Sequence, residues 1–166
     1  MKKTWLKLLG MMLAISMMIT GFSWEVRAED QEVTEIEVPC RHTLIATETE
    51  TSDTSEVIQR GAYLQGGTSK LTDKGNQKIA IYGSTTCLQV CDVVYLDIFL
   101  EQSSDGESWY TYDSWSYTAT QVSSLSKSFT RTVPGQYYYR LRGYHAAKEG
   151  SIKESTSTMT DGLYIE

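Results

Sequence analysis

Histidine, proline and cysteine are all scarce in these 166 residues, with two, two and three copies, and the shortages exclude several kinds of chemistry. A serine or cysteine hydrolase needs a base beside its nucleophile, and only His42 and His145 are available. His42 falls in a polar, acidic stretch that cannot hold a geometry, and His145 closes a strand within Gly143-Tyr144-His145-Ala146, so a hydrolase is the least favoured reading. A zinc framework needs two closely spaced ligand pairs. Cys87 and Cys91 make one, but Cys40-Arg41-His42 is too tight for the second. Asp105-Gly106-Glu107 lacks the further oxygens of a calcium loop. No metal or cofactor is expected, and no catalytic residue. The acids Asp97, Glu101 and Asp113 lie on adjoining strands, yet they read as solvated face residues and not as a glycosidase pair across a cleft.

Long apolar runs are also missing, with one exception. Lys2, Lys3 and Lys7 precede the 15 apolar or small residues of Leu8 to Phe22, and Val26-Arg27-Ala28 offers small residues at a peptidase site. The run is shorter than the roughly 20 residues a spanning helix needs. Residues 1–28 therefore read as a cleaved signal peptide, the product as secreted and extracellular, and no membrane insertion is expected after cleavage. With no sorting signal after the domain, the product is expected to be released or held by partners. The residues before Cys40, Glu37-Val38-Pro39, do not resemble a lipoprotein site.

Basic charge is short in what remains. Residues 29–166 hold 11 basic and 20 acidic side chains, a balance that disfavours nucleic acid and anionic membrane as partners. Nine of those acids fall within residues 29–56 against Arg41 alone. That segment, rich in Thr and Ser, has too little apolar surface to offset its ordering entropy and reads as an acidic flexible leader. Leu44-Ile45 is the one place in it with strand character.

From residue 57 to 166 short apolar alternations separated by turn residues predict an all-β domain. Seven strands are expected: Arg60 to Gln65 ended by Gly66-Gly67, Lys78 to Gly83, Cys91 to Gln102, Ser108 to Thr118, Leu125 to Val133, Gln136 to Ala146, and one within Lys153 to Ile165. The clearest carries Val94, Leu96, Ile98 and Leu100 inward and Tyr95, Asp97, Phe99 and Glu101 outward. Ser103-Ser104-Asp105-Gly106 turns it into a hairpin. Lys127 and Arg131 interrupt the face of Leu125, Phe129 and Val133. Seven such strands suit two antiparallel sheets packed as a sandwich.

Cys87 and Cys91 are a candidate disulfide. On one extended strand their α-carbons stand roughly 13 Å apart, beyond the approximately 7 Å a bridge tolerates. The bond therefore requires a turn through Leu88-Gln89-Val90; otherwise the two are ordinary buried thiols. Cys40 is left over, free or intermolecular.

The run Pro134-Gly135-Gln136-Tyr137-Tyr138-Tyr139-Arg140-Leu141-Arg142-Gly143 resembles the sixth strand of a fibronectin type III or immunoglobulin-like domain. The resemblance implies a β-sandwich in which Tyr137 makes the tyrosine corner and Tyr139, Leu141 and Gly143 enter the core. The whole chain, with its acidic leader and Arg60-Gly61-Ala62-Tyr63, is similar to small secreted proteins of Gram-positive bacteria that form a domain-of-unknown-function family.

Aromatics are the least random feature. Trp109, Tyr110, Tyr112, Trp115 and Tyr117 fall within nine residues, and alternation puts Tyr138, Arg140, Arg142 and Tyr144 on one outward face. With Trp115 or Tyr112 as cross-strand neighbour, guanidinium planes would stack on rings in a ladder. Trp109, Tyr112, Trp115, Tyr138, Arg140, Arg142 and Tyr144 are the candidate binding face of a non-catalytic module, its partner an unknown protein or glycan at the cell surface. The alternative is a carbohydrate-binding module stacking sugars on Trp and Tyr, and the plain reading is a structural ladder that stiffens the sheet.

Overall fold

The computed structural model describes residues 44–45, 49–56 and 61–166. The chain divides into two units, Met1–Asp30 and Gln31–Glu166, and every described residue belongs to the second; the signal-peptide segment and Cys40 lie outside the described residues. The described part is all-β: β1 (Leu44–Ile45), β2 (Glu50–Glu56), β3 (Leu64–Asp73), β4 (Lys78–Ser103), β5 (Tyr110–Thr132), β6 (Tyr137–Glu149), β7 (Ile152–Met159) and β8 (Gly162–Ile165).

The architecture follows from one hairpin folded in half. β4 and β5, 26 and 23 residues long, pair antiparallel along almost their whole length. The register breaks once in the middle, where residues 87–90 stand between the pairs Thr86–Ser124 and Cys91–Val122. On the partner strand Gln121 takes φ 55°, a left-handed conformation that costs a non-glycine residue energy and that bends a strand sharply. The two arms then face each other. Gly83 packs under Leu96 and Ile98, and the Thr85 hydroxyl donates to the Tyr95 carbonyl at 2.9 Å. Trp115 meets Phe129 edge to face at 4.7 Å.

One arm, β4 78–86 with β5 124–132, continues into β3 and β2. The other, β4 91–103 with β5 110–122, continues into β6, which pairs with β7 and β8. β1 joins β8 in parallel. The result is one hydrogen-bonded sheet whose two halves enclose a core. The expected inward residues Ile79, Ile81, Val94, Leu96, Ile98, Leu100, Tyr139, Leu141, Leu163 and Ile165 are all buried, each aliphatic side chain worth roughly 1.5–3 kcal/mol. The interruption at Lys127 and Arg131 also has its reason. Both sit where the fold is open along β5, and each reaches across to the other arm: Lys127 over the Tyr117 ring, Arg131 to Asp113 at 2.8 Å.

Four expectations need correction. The four strands expected at 78–83, 91–102, 108–118 and 125–133 are two, β4 and β5, each running on through the bend. Residues 50–56, assigned to the flexible leader, form an edge strand paired with β3 from Thr72 to Gly66. Thr51 and Ser55 face inward and are buried, and Asp53 accepts a hydrogen bond from the Met159 amide at 2.8 Å, so backbone pairing and polar contacts hold a strand with no apolar side chain. Gly66-Gly67 does not end the first strand either. β3 runs on to Asp73, because the pair serves a close approach: a β-carbon at Gly67 would overlap the His145 ring from the facing half. The last strand is two, β7 and β8, separated at Thr160, whose hydroxyl and amide both bond Leu141. Leu44-Ile45 is a short strand, and the turn at Ser103 to Gly106 forms. There the Asp105 carboxylate accepts from the Ser108 and Glu107 amides and the Ser103 hydroxyl, which holds it well below the usual carboxylate range.

Candidate functional site

Cross-strand register builds the candidate face. Glu101, Phe99, Asp97 and Tyr95 of β4 lie opposite Arg140, Arg142, Tyr144 and Ala146 of β6, all pointing away from the core. Glu101 is buried between the two arginines. It accepts from Arg140 Nε at 2.8 Å and Arg142 Nε at 2.9 Å, one carboxylate oxygen to each. Each guanidinium also covers a ring, Arg140 over Trp109 at 4.3 Å and Arg142 over Phe99 at 4.1 Å. A charge-assisted hydrogen bond and a stacked ring act on the same planar group, an arrangement that lysine cannot reproduce. Further along, Lys153 of β7 reaches across the small Ala146 to lie over Tyr95 at 4.8 Å and Tyr144 at 5.5 Å. At the other end Tyr138 tilts against Tyr164 at 5.0 Å.

Of the seven candidate residues, Trp109, Tyr138, Arg140, Arg142 and Tyr144 therefore share the outward face. Trp115 and Tyr112 do not. Trp115 is opposite Ile98 and packs into the core cluster, while Tyr112 stands edge-on to the buried Tyr139. The reason is a second register break in the hairpin: Leu100 pairs with Asp113 but Glu101 with Thr111, so Tyr112 is an unmatched residue and the alternation of β5 flips across it. The expected ladder partners are replaced by Phe99 and Trp109. Phe99, Glu101, Tyr95 and Lys153 were not among the candidates. The outward alternation of β4 contained the first three, but only the register with β6 shows that they meet the arginines.

The tyrosine that bonds back to the chain is not the expected Tyr137. The hydroxyl that reaches back to the chain is that of Tyr139, donating to the Pro134 carbonyl at 2.9 Å, while Tyr137 packs its half-buried ring against the core. Tyr139 also accepts from the Gln102 amide, whose oxygen accepts from Tyr110. Burial pushes the Tyr139 hydroxyl up to about 12.

His145 lies wholly inside the fold, between Thr85 Oγ1 at 3.0 Å from Nδ1 and Thr158 Oγ1 at 2.9 Å from Nε2. Because Thr85 already donates to the Tyr95 carbonyl, it accepts from Nδ1–H, which leaves Nε2 to accept from Thr158. The Ser69 hydroxyl stands 2.6 Å beyond. Desolvation lowers the imidazole to about 4, so it is neutral and its ring is closed to solvent. The three acids do not converge: Asp97 and Glu101 are outward, whereas Asp113 pairs opposite the inward Leu100 and binds Arg131. Cys87 and Cys91 are buried free thiols.

A model of a family of unknown function (DUF6147) matches residues 27–162, and the chain belongs to that family. No curated protein matches it. Among solved structures it is similar to Spo0M, a sporulation control protein from Bacillus subtilis, at 14% identity and a TM-score of 0.35 over 70% of this chain. The alignment spans 50% of that protein's length.

Proposed function

We propose that this DUF6147 chain is an exported, non-catalytic binding module of a Gram-positive bacterium, an immunoglobulin- or fibronectin-like β-sandwich that engages a protein surface through the outer face of β4, β6 and β7. The single observation that carries the reading is the composition of that face. Arg142 lies over Phe99, and Lys153 over Tyr95 and Tyr144, so the outer face presents aromatic edges beside held cations, and its aromatic and arginine side chains are the types enriched at the centre of protein interfaces. Prior stacking matters here. A side chain already held by Glu101 and Phe99 loses little freedom on binding, which lowers the entropic cost of association.

Export is supported by the pattern of residues 1–28, and the sandwich reading by the back-bonded Tyr139 at the start of β6. The carbohydrate alternative loses its platform, since Trp115 is turned into the core and Trp109 is covered by Arg140.

The test is capture on immobilised residues 29–166 from a bacterial envelope fraction, beside a variant carrying Lys153→Glu and Tyr144→Ser. Both substituted side chains sit on the outer face, so the fold is expected to persist by circular dichroism. A protein retained by the wild type and lost with the variant supports the reading; equal retention by both overturns it.

A further inference from the structure

The bend that folds β4 back on itself holds a chemical group that surface binding does not use. Leu88, Gln89 and Val90 turn the chain, so Cys87 and Cys91 enter one buried cluster with Leu64, Val94 and Ala147. Within that cluster the Cys91 thiol donates to the Gln89 carbonyl at 3.5 Å, two residues back along the turn. The turn that a bridge needs is therefore built into the fold, and it is the same register break that lets the central hairpin close on itself.

We propose that Cys87 and Cys91 are an oxidisable dithiol that closes to an intrachain disulfide, with a disulfide of low molecular weight or of a thiol oxidoreductase as the oxidant. The exchange balances in two steps. The Cys91 sulfur loses its proton to solvent and attacks one sulfur of the oxidant, expelling the other as a thiolate. The Cys87 sulfur then loses its proton and attacks Cys91 in the mixed disulfide, expelling the second thiolate. Two S–H bonds are lost, one S–S bond forms, and the oxidant gains two electrons. The two steps balance in the same way with the roles of the sulfurs exchanged, so either thiol can attack first.

Burial also sets when this happens. Both sulfurs are shielded in the folded chain, so the exchange belongs to folding, before the cluster around Leu64 packs, and the finished bond is protected from reductant. The closed loop is short, which limits any effect on the unfolded chain. Its consequence is local: it pins the bend from which Leu88 and Val90 project, 60% and 55% exposed.

The experiment refolds the fully reduced chain in a mixture of reduced and oxidised glutathione, alkylates it in denaturant with iodoacetamide and maps tryptic peptides. Both cysteines fall in the peptide 79–127, and Cys40 falls in a separate one ending at Arg41. The expected result is peptide 79–127 unalkylated and two hydrogens lighter than its dithiol form, with Cys40 alkylated or carrying glutathione. Two alkylated cysteines in 79–127, or a cross-link from that peptide to Cys40, would overturn the proposal. A second measurement uses Cys40→Ser, which touches neither sulfur. Its oxidised form is expected to unfold at higher urea than the same protein after reduction in denaturant, and identical midpoints would overturn the claim that the bond pins the bend.

Discussion

The imidazole of His145 occupies the space that a β-carbon at Gly67 would need, so the two halves of the sheet meet through a ring laid on bare backbone. Gly143 is confined from the same region, with Ser69, Thr158 and His145 against it. A polar chain from Ser69 through Thr158 and His145 to Thr85 thus runs through the middle of the fold, and it is the small residues on both sides that let the halves approach closely enough to close it.

Gly67→Ala should therefore destabilise by about 1–3 kcal/mol, the usual cost of forcing volume into a packed interior. Equilibrium unfolding in urea measures it. His145→Ala opens the space that the added methyl needs, so the double variant should lose less than the sum of the single losses; strict additivity would show that the two residues do not press on each other.

The same histidine makes stability depend on pH. Its folded value of about 4 lies below the ordinary 6.5, so between those values the unfolded chain takes up a proton that the folded chain refuses. The histidine's contribution is fully present above about pH 6.5, is lost as the pH drops toward 4, and changes no further below. The full loss is of order 3 kcal/mol. Urea titrations at several pH values should show this slope in the wild type and not in His145→Gln, whatever the absolute stability of that variant.

How much of this was legible in the sequence depends on what kind of force holds each element. The alternation Val94, Leu96, Ile98, Leu100 announces its strand because apolar burial leaves a periodic trace. Glu50 to Glu56 leaves none, since its strand rests on backbone pairing with β3 and on the Asp53 carboxylate. Gly66-Gly67 reads locally as a turn, and only the ring arriving from β6 reveals it as a close approach. The candidate face was half legible for a similar reason: alternation gave Tyr138, Arg140, Arg142 and Tyr144 correctly, but parity on β5 reverses at the unmatched Tyr112, and no local pattern marks a bulge that depends on the partner strand.

Tyr139→Phe removes the bond to the Pro134 carbonyl and leaves the Gln102 amide short of a buried partner. A loss of about 1–2 kcal/mol is expected. Tyr137→Phe, whose ring packs on the core, should be close to neutral, and comparable urea midpoints for the two variants would contradict the assignment of the back-bonding hydroxyl to Tyr139.

The edge strand predicts slow amide exchange at alternate residues of 50–56, those whose amides bond across the ladder with Thr72 to Gly66. Asp53→Ala removes the acceptor of the Met159 amide, and hydrogen exchange at Met159 should quicken while the Val94 to Leu100 segment stays protected. Uniformly fast exchange from Glu50 onward in the wild type would return the segment to the leader.

The arginine pair gives the sharpest test of what the outer face is for. Arg140→Lys with Arg142→Lys keeps two positive charges but removes both Nε donors to Glu101 and both planar stacks, on Trp109 and on Phe99. Glu101 is buried between them, so its carboxylate would keep only single-point lysine contacts. The expected cost is of order 1–2 kcal/mol, most of it from Arg140, whose side chain is 14% exposed against 36% for Arg142, because solvent screens the outer pair more strongly. Single substitutions should therefore rank Arg140→Lys as the more damaging to stability. If the face also binds a partner, capture should be ordered the other way, with the more exposed Arg142 mattering more. Capture falling in step with stability across both variants would make the ladder structural and leave it no part in recognition.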